Sequence, residues 1–161
     1  MSFRVGIGED IHRVDDGRTL VLGGVIIEEG PGLAGHSDAD VLFHAITDAV
    51  LGAATLGDIG HYFPPSDPRF AHADSADFLR KALALAREEG WEVGNIDSTV
   101  RAERPKLAPY ITLIRERVAE VVQIDLSQVS VKAKTGEGLD AVGRGEAMAA
   151  TAIVLLRRVV E

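Results

Sequence analysis

With 161 residues, 46% hydrophobic and 26% charged, the chain has the length of one domain and the balance of a folded protein, which excludes a disordered one. Its 17 Lys and Arg against 25 Asp and Glu leave a net charge of −8, the opposite of the basic stripe that a nucleic-acid binder needs. It has no Cys, so disulfides and thiolate zinc sites are excluded, and any metal must be held by His and carboxylates.

In chain order, Met1-Ser2-Phe3-Arg4-Val5-Gly6 lacks an apolar signal segment, and Phe3 to Ile7 reads as a strand. Thr19 to Ile27 reads as a second strand, its Gly23-Gly24 pair marking a bulge or close approach. Ser37 to Leu51 has helical spacing, with Ser37 and Asp38 placed to cap it and Val41, Ile46, Ala49 and Val50 giving apolar surface. Asp58 to Phe70, with its glycines and prolines, reads as a loop. Ser75 to Glu89 is a second amphipathic helix, with Phe78, Leu79, Ala82, Leu83 and Ala86 on one face and Gly90 at its end. Asn95 to Glu103 and Val129 to Lys134 read as strands, separated by a helix from about Pro109 to Val122. A last helix is predicted over roughly Gly145 to Val159. The run Ala147 to Leu156 is far shorter than the roughly 20 apolar residues that span a bilayer, so the expectation is a cytoplasmic protein without a membrane partner. Mixed strands and helices give an α/β or α+β class in one domain, 1–161, and leave strand order open.

Chemistry concentrates in two places. In an extended Asp10-Ile11-His12, residues i and i+2 share a face, so a carboxylate and an imidazole can converge on one ion. His44 adds a third ligand, and an Asp/His/His set leaves open the fourth tetrahedral position that catalytic zinc requires. Alone, Asp-x-His is weak evidence, and a surface turn with a capping Asp is the more ordinary reading of Asp10 and His12 at this point. Asp40, His44 and Asp48 recur every four residues on one side of the predicted helix, where an Asp–His surface pair is also common. A metal-bound imidazole usually donates its other N–H to a carboxylate, a role open to Asp40 or Asp48. The helix start offers free N–H groups, and His36 and Ser37 add donors, a combination suited to phosphate. The late loop Lys134-Thr135-Gly136-Glu137-Gly138 reads as a polar turn, Lys106 as a solvated residue, His61 and His72 as solvated loop residues, and Trp91 as packing.

Taken together, Gly8-Glu9-Asp10-Ile11-His12, His36-Ser37-Asp38-Ala39-Asp40-Val41-Leu42-Phe43-His44-Ala45-Ile46-Thr47-Asp48-Ala49, Gly57-Asp58-Ile59-Gly60 with Phe63-Pro64, Pro105-Lys106 and Gly143-Arg144-Gly145-Glu146 resemble the 2-C-methyl-D-erythritol 2,4-cyclodiphosphate synthase family, nearly end to end. The resemblance implies a phosphorus–oxygen lyase of non-mevalonate isoprenoid biosynthesis. In such an enzyme the 2-phosphate of 4-diphosphocytidyl-2-C-methyl-D-erythritol 2-phosphate attacks the β-phosphorus and expels CMP. It implies zinc, or another divalent metal, on Asp10, His12 and His44, and a second ion, magnesium or manganese, on Glu137. It implies phosphate contacts from His36 and Ser37 and ribose contacts from Asp58 and Gly60. Ala102 to Lys106, and on to Ala108, would border the cytosine and its phosphate, and Thr135 would touch the diphosphate. It further implies catalytic roles for His36 and Thr135, with Phe63, Asp67 and Arg144 completing the substrate-binding set. The implied architecture is a mixed sheet with helices packed on one face, assembled as a homotrimer with active sites between subunits. Ile7, Glu9, Pro65, Lys134, Gly136 and Ala141 depart from the family's commoner pattern, and none is a proposed ligand. A metal-dependent phosphohydrolase and a non-catalytic zinc- or nucleotide-binding trimer are the alternatives. The hydrolase would use water as the attacking group, whereas a closed four-ligand site would suit the binding module.

Overall fold

The computed structural model describes residues 2–159. In chain order it contains β1 (Phe3–Asp15), β2 (Leu20–Leu22), β3 (Val25–Ile27), β4 (Gly32–Leu33), α1 (Val41–Ala54), α2 (Ile59–Tyr62), α3 (Ser75–Glu88), β5 (Trp91–Arg101), α4 (Ile111–Val122), β6 (Val129–Lys134), α5 (Asp140–Gly143) and β7 (Ala147–Arg158). Single 3-10 turns precede α3, α4 and β6.

Five strands form one mixed sheet in the order β4-β1-β7-β5-β6. β7 runs antiparallel to both β1 and β5, and β5 is parallel to β6 through the α4 crossover. α1 packs on β1 and β7, α3 on β5, and α4 on β6. Phe43, Ile46, Leu79, Ile96, Ile114 and Met148 are fully buried in the layer between helices and sheet. The other face of the sheet carries Phe3, Val5, Ile7, Ile11 and Ile153, all exposed. Helices on one face of a single mixed sheet is the expected class.

The helix predicted over Gly145 to Val159 is instead β7, the strand between β1 and β5. Its burial alternates: Met148, Ala150, Ala152, Val154 and Leu156 face the helices, while Ile153 and Arg157 face away. Apolar residues on both faces hide that period of two in the sequence, and ladders on both sides override the helix preference of alanine. The strand expected over Thr19 to Ile27 is a hairpin outside the main sheet, because Gly23 (φ +56°) and Gly24 (φ +71°) form its two-residue turn. β1 extends to Asp15 rather than Ile7, and β5 begins at Trp91 rather than Asn95. The predicted loop from Asp58 contains the short helix α2.

On β1, Gly6 and Gly8 lie beneath α1, where a Cβ would overlap the carbonyl oxygens of Ala49 and Ala45. Glycine at these positions lets α1 approach the strand closely, and that approach sets α1 over Asp10 and His12.

Candidate active site

Asp10 and His12 lie two residues apart on the extended β1 and share the face beneath α1, which brings His44 to them. Asp10 Oδ2 lies 2.8 Å from His12 Nε2 and 3.0 Å from His44 Nδ1. The two ring nitrogens are 3.1 Å apart. Their partners determine the tautomers. His12 Nδ1 is 2.7 Å from the Ala34 carbonyl, which only accepts, so Nδ1 carries the hydrogen and Nε2 presents a lone pair. The Ser75 hydroxyl donates to Asp38 Oδ1, so its lone pair faces His44 Nε2, 2.8 Å away. Nε2 therefore carries the hydrogen, and Nδ1 turns its lone pair to the same point.

Two imidazole lone pairs and a carboxylate oxygen thus converge, an arrangement that needs a cation or a proton at its centre. Their separations lie a little inside the ~3.3 Å ligand spacing that follows from bonds of about 2.0 Å in a tetrahedron. Imidazole and carboxylate donors at that spacing fit zinc or a similar divalent ion, and the group has three members among the described residues. Without a metal, the centre takes a proton. Burial works to raise Asp10's pKa, but hydrogen bonds with His12 and His44 and their charges outweigh it and hold the carboxyl well below its usual range. Burial works to lower His12, but the Asp10 bond and charge, with the Ala34 carbonyl, raise it above an ordinary histidine.

The loop ahead of α1 differs from expectation. The helix begins at Val41, capped by Asp40 rather than by Ser37 or Asp38. Leu42, Phe43 and Gly23 donate their N–H groups to Asp40 Oδ1, and Gly24 donates to Oδ2. This fully buried carboxylate caps the helix N-terminus, so two of the donors expected there for a phosphate, the Leu42 and Phe43 amides, are already taken. Burial pushes Asp40 up to about 6, against the lowering pull of the Phe43, Gly24 and Gly23 amides, and the Asp38 charge adds to the rise. Asp48 accepts from the Ile59 amide at 2.7 Å and ties the segment after Asp58 to α1. Among the described residues, neither the Asp40 nor the Asp48 carboxylate is hydrogen-bonded to the His44 imidazole; Ser75 and, at 3.2 Å, Ser37 Oγ are the partners of its Nε2. The sequence reading missed Asp38, Ser75 and Arg18, whose guanidinium holds the Gly35 and Ser37 carbonyls at 2.6 and 2.5 Å. No local spacing pairs position 38 with 75, or 18 with 35.

The remaining expected residues fall into two groups. The first adjoins Asp10, His12 and His44. Ser37 touches His44, and the exposed His36 approaches the Asp67 carbonyl at 3.3 Å. Asp58 caps α2, which contains Gly60. Phe63 stacks at 4.4 Å on Phe78, which lies 6.0 Å from the His44 ring. The second group lies beyond the ends of β5 and β6. The Ala102 amide donates to the Lys134 carbonyl, and the Gly136 amide to Glu103 Oε2, both at 2.9 Å. Thr135 Oγ1 donates to Glu137 Oε1 at 3.2 Å. Lys106 is exposed in the turn, and Arg144 pairs with Glu146 at 2.9 Å. Ile11 and Arg101 both pair with Ala149, so the two groups lie at the same end of the sheet. β7 separates β1 from β5 there, roughly 10 Å at two strand spacings. Among the described residues, no hydrogen bond or ion pair runs directly between the two groups.

Residues 3–157 match the YgbB family. The chain is 58% identical over 157 residues to a 2-C-methyl-D-erythritol 2,4-cyclodiphosphate synthase of Thermosynechococcus vestitus, covering 98% of each. Among solved structures, the bifunctional IspDF of Campylobacter jejuni superposes with a TM-score of 0.94 at 41% identity, over 98% of this chain and 42% of that one. The CDP complex of Plasmodium falciparum IspF superposes with a TM-score of 0.86 at 38% identity, covering 99% of this chain and 98% of that one.

Proposed function

The chain belongs to the YgbB family, and from that premise we propose how its residues carry out the reaction of the 2-C-methyl-D-erythritol 2,4-cyclodiphosphate synthases that it matches over nearly its whole length. The enzyme serves isoprenoid biosynthesis. Its substrate is 4-diphosphocytidyl-2-C-methyl-D-erythritol 2-phosphate. An oxygen of the 2-phosphate bonds to the β-phosphorus, the bond from that phosphorus to the bridging oxygen breaks, and CMP leaves with the electron pair. The matched relatives favour this reading over a phosphohydrolase or a non-catalytic binding module.

The convergence of Asp10, His12 and His44 carries the proposal. A divalent metal held there, zinc by the chemistry of its donors, supplies positive charge beside phosphate groups that otherwise repel one another. The protein's own task is positioning, because phosphoryl transfer within one molecule needs no side-chain nucleophile. His36 and Ser37 donate to the phosphate next to the three ligands. The Asp58 carboxylate accepts from ribose hydroxyls, and Gly60 presents its backbone. Phe63 and Asp67 close that side. Ala102 and Lys106 lie against the cytosine and its phosphate, Thr135 donates to the diphosphate, and Glu137 holds a second divalent ion, magnesium or manganese. Arg144 adds a cation at the phosphate end, and His36 and Thr135 stabilise the charge that develops in the transition state.

The separation of the two residue groups supports a homotrimer in which the metal-ligand group of one copy faces the Thr135–Glu137 group of its neighbour. The exposed apolar sheet face suits burial in that assembly. No described helix is long and apolar enough to cross a membrane, and we place the trimer in the cytoplasm.

Incubation with the diphosphocytidyl substrate and magnesium is expected to release CMP and the cyclic diphosphate in equal amounts. His44→Ala is expected to lose most bound zinc and nearly all turnover. A linear phosphate product would overturn the cyclisation, and full zinc content in the variant would overturn the ligand assignment.

A further inference from the structure

We propose that Ser75, polarised by Asp38, is a positioning residue for His44, determining which ring nitrogen faces Asp10 and His12 and how strongly that nitrogen binds a cation. The proposal rests on the reading of Asp10, His12 and His44 as metal ligands and adds residues outside that set.

Ser75 is fully buried at the first position of α3, and its hydroxyl has two near partners of opposite demand. Asp38 Oδ1 can only accept, so it takes the hydroxyl hydrogen. His44 Nε2, 2.8 Å away on the other side, must then donate. The proton is thereby excluded from Nδ1, the atom 3.0 Å from Asp10 Oδ2 and 3.1 Å from His12 Nε2. A carboxylate behind the serine strengthens its oxygen as an acceptor, and a more strongly held Nε2–H makes Nδ1 a better electron donor. Ser37 Oγ, 3.2 Å from Nε2 and 3.3 Å from Ser75 Oγ, is the weaker acceptor.

The chain of bonds is held on both sides. Asp38 also receives the amides of Ser75 and Asp40, each at 3.1 Å. The Asp38 amide donates to the Ala73 carbonyl at 3.0 Å, and the His72 amide to the His36 carbonyl at 2.8 Å. Segment 36–38 and segment 72–75 are thus sewn together beside His44. Phe78, one turn on from Ser75, lies stacked 6.0 Å from the imidazole at 27° and limits its rotation.

The test compares zinc affinity, by chelator competition, and the visible spectrum of cobalt-loaded protein, with thermal stability measured in parallel. Ser75→Ala is expected to weaken zinc binding by about 10- to 100-fold and to shift the cobalt bands. Asp74→Ala removes the cap that accepts the Ala76 amide at 2.8 Å, so it is expected to lower stability while leaving affinity and spectrum unchanged. If Ser75→Ala does not fold, the isosteric Asp38→Asn decides, with an affinity loss of about 10-fold expected. Wild-type affinity in the deciding variant, or equal losses in Ser75→Ala and Asp74→Ala, overturns the positioning role. Failure of the unmodified protein to take up zinc overturns the metal reading instead.

Discussion

Asp10 and His12 stabilise one another through opposite shifts, and the signs define a pH window. Asp10's folded value is depressed, so its contribution is present above the ordinary 3.8 and is lost as pH falls toward that depressed value. His12's folded value is raised, so its contribution is present below 6.5 and is lost as pH rises through the raised value. In chelator-treated protein, the gap in thermal stability between wild type and Asp10→Asn should be widest between these two values and narrow on either side. A gap constant with pH would contradict the pairing. With zinc bound, protons compete with the cation for the imidazoles, so the same comparison should move to higher pH. Asp40 answers to different physics. It is buried, and among the described residues its partners are four backbone N–H groups and no side-chain cation.

At the scale of elements, the seam between α1 and β1 positions the site. Gly6 and Gly8 admit the helix backbone against the strand, and that approach brings His44 within 3.0 Å of Asp10. Gly8→Ala would place a methyl on the Ala45 carbonyl, and neither backbone can yield without moving an entire element. The expected cost is about 3 kcal/mol or more in urea unfolding, together with loss of zinc binding. A variant as stable as wild type would show that the seam can relax. β7 makes the complementary point about context. Its Ala-rich segment Ala147 to Ala152 is a strand because β1 and β5 supply ladders on both sides.

At the scale of the whole molecule, the helices cover only one face of the sheet, and the other presents Ile7 and Ile153 paired across neighbouring strands, 63% and 45% exposed. If that face is where copies meet, Ile7→Lys should shift sedimentation from trimer to monomer and abolish CMP release. Zinc affinity should stay unchanged, because the three candidate ligands belong to one chain. An active monomer would contradict shared sites.

Much of the chemistry was legible in the sequence because it is written locally. Asp10-Ile11-His12 carries its own geometry once the segment is extended, and the His36 to Gly60 block identifies the family by residue type and order. The missing Cys and the net charge of −8 had already narrowed the metal donors and the partners. Only the tertiary structure could decide what depends on distant partners. It made Ala147 to Arg158 a central strand, gave the α1 cap to Asp40 through Gly23 and Gly24, and put Ser75, not Asp40 or Asp48, behind His44. Local spacing follows covalent geometry, so the sequence encodes it directly. A ladder or hydrogen bond between residues 16 to 154 positions apart exists only after the sheet and helices have packed.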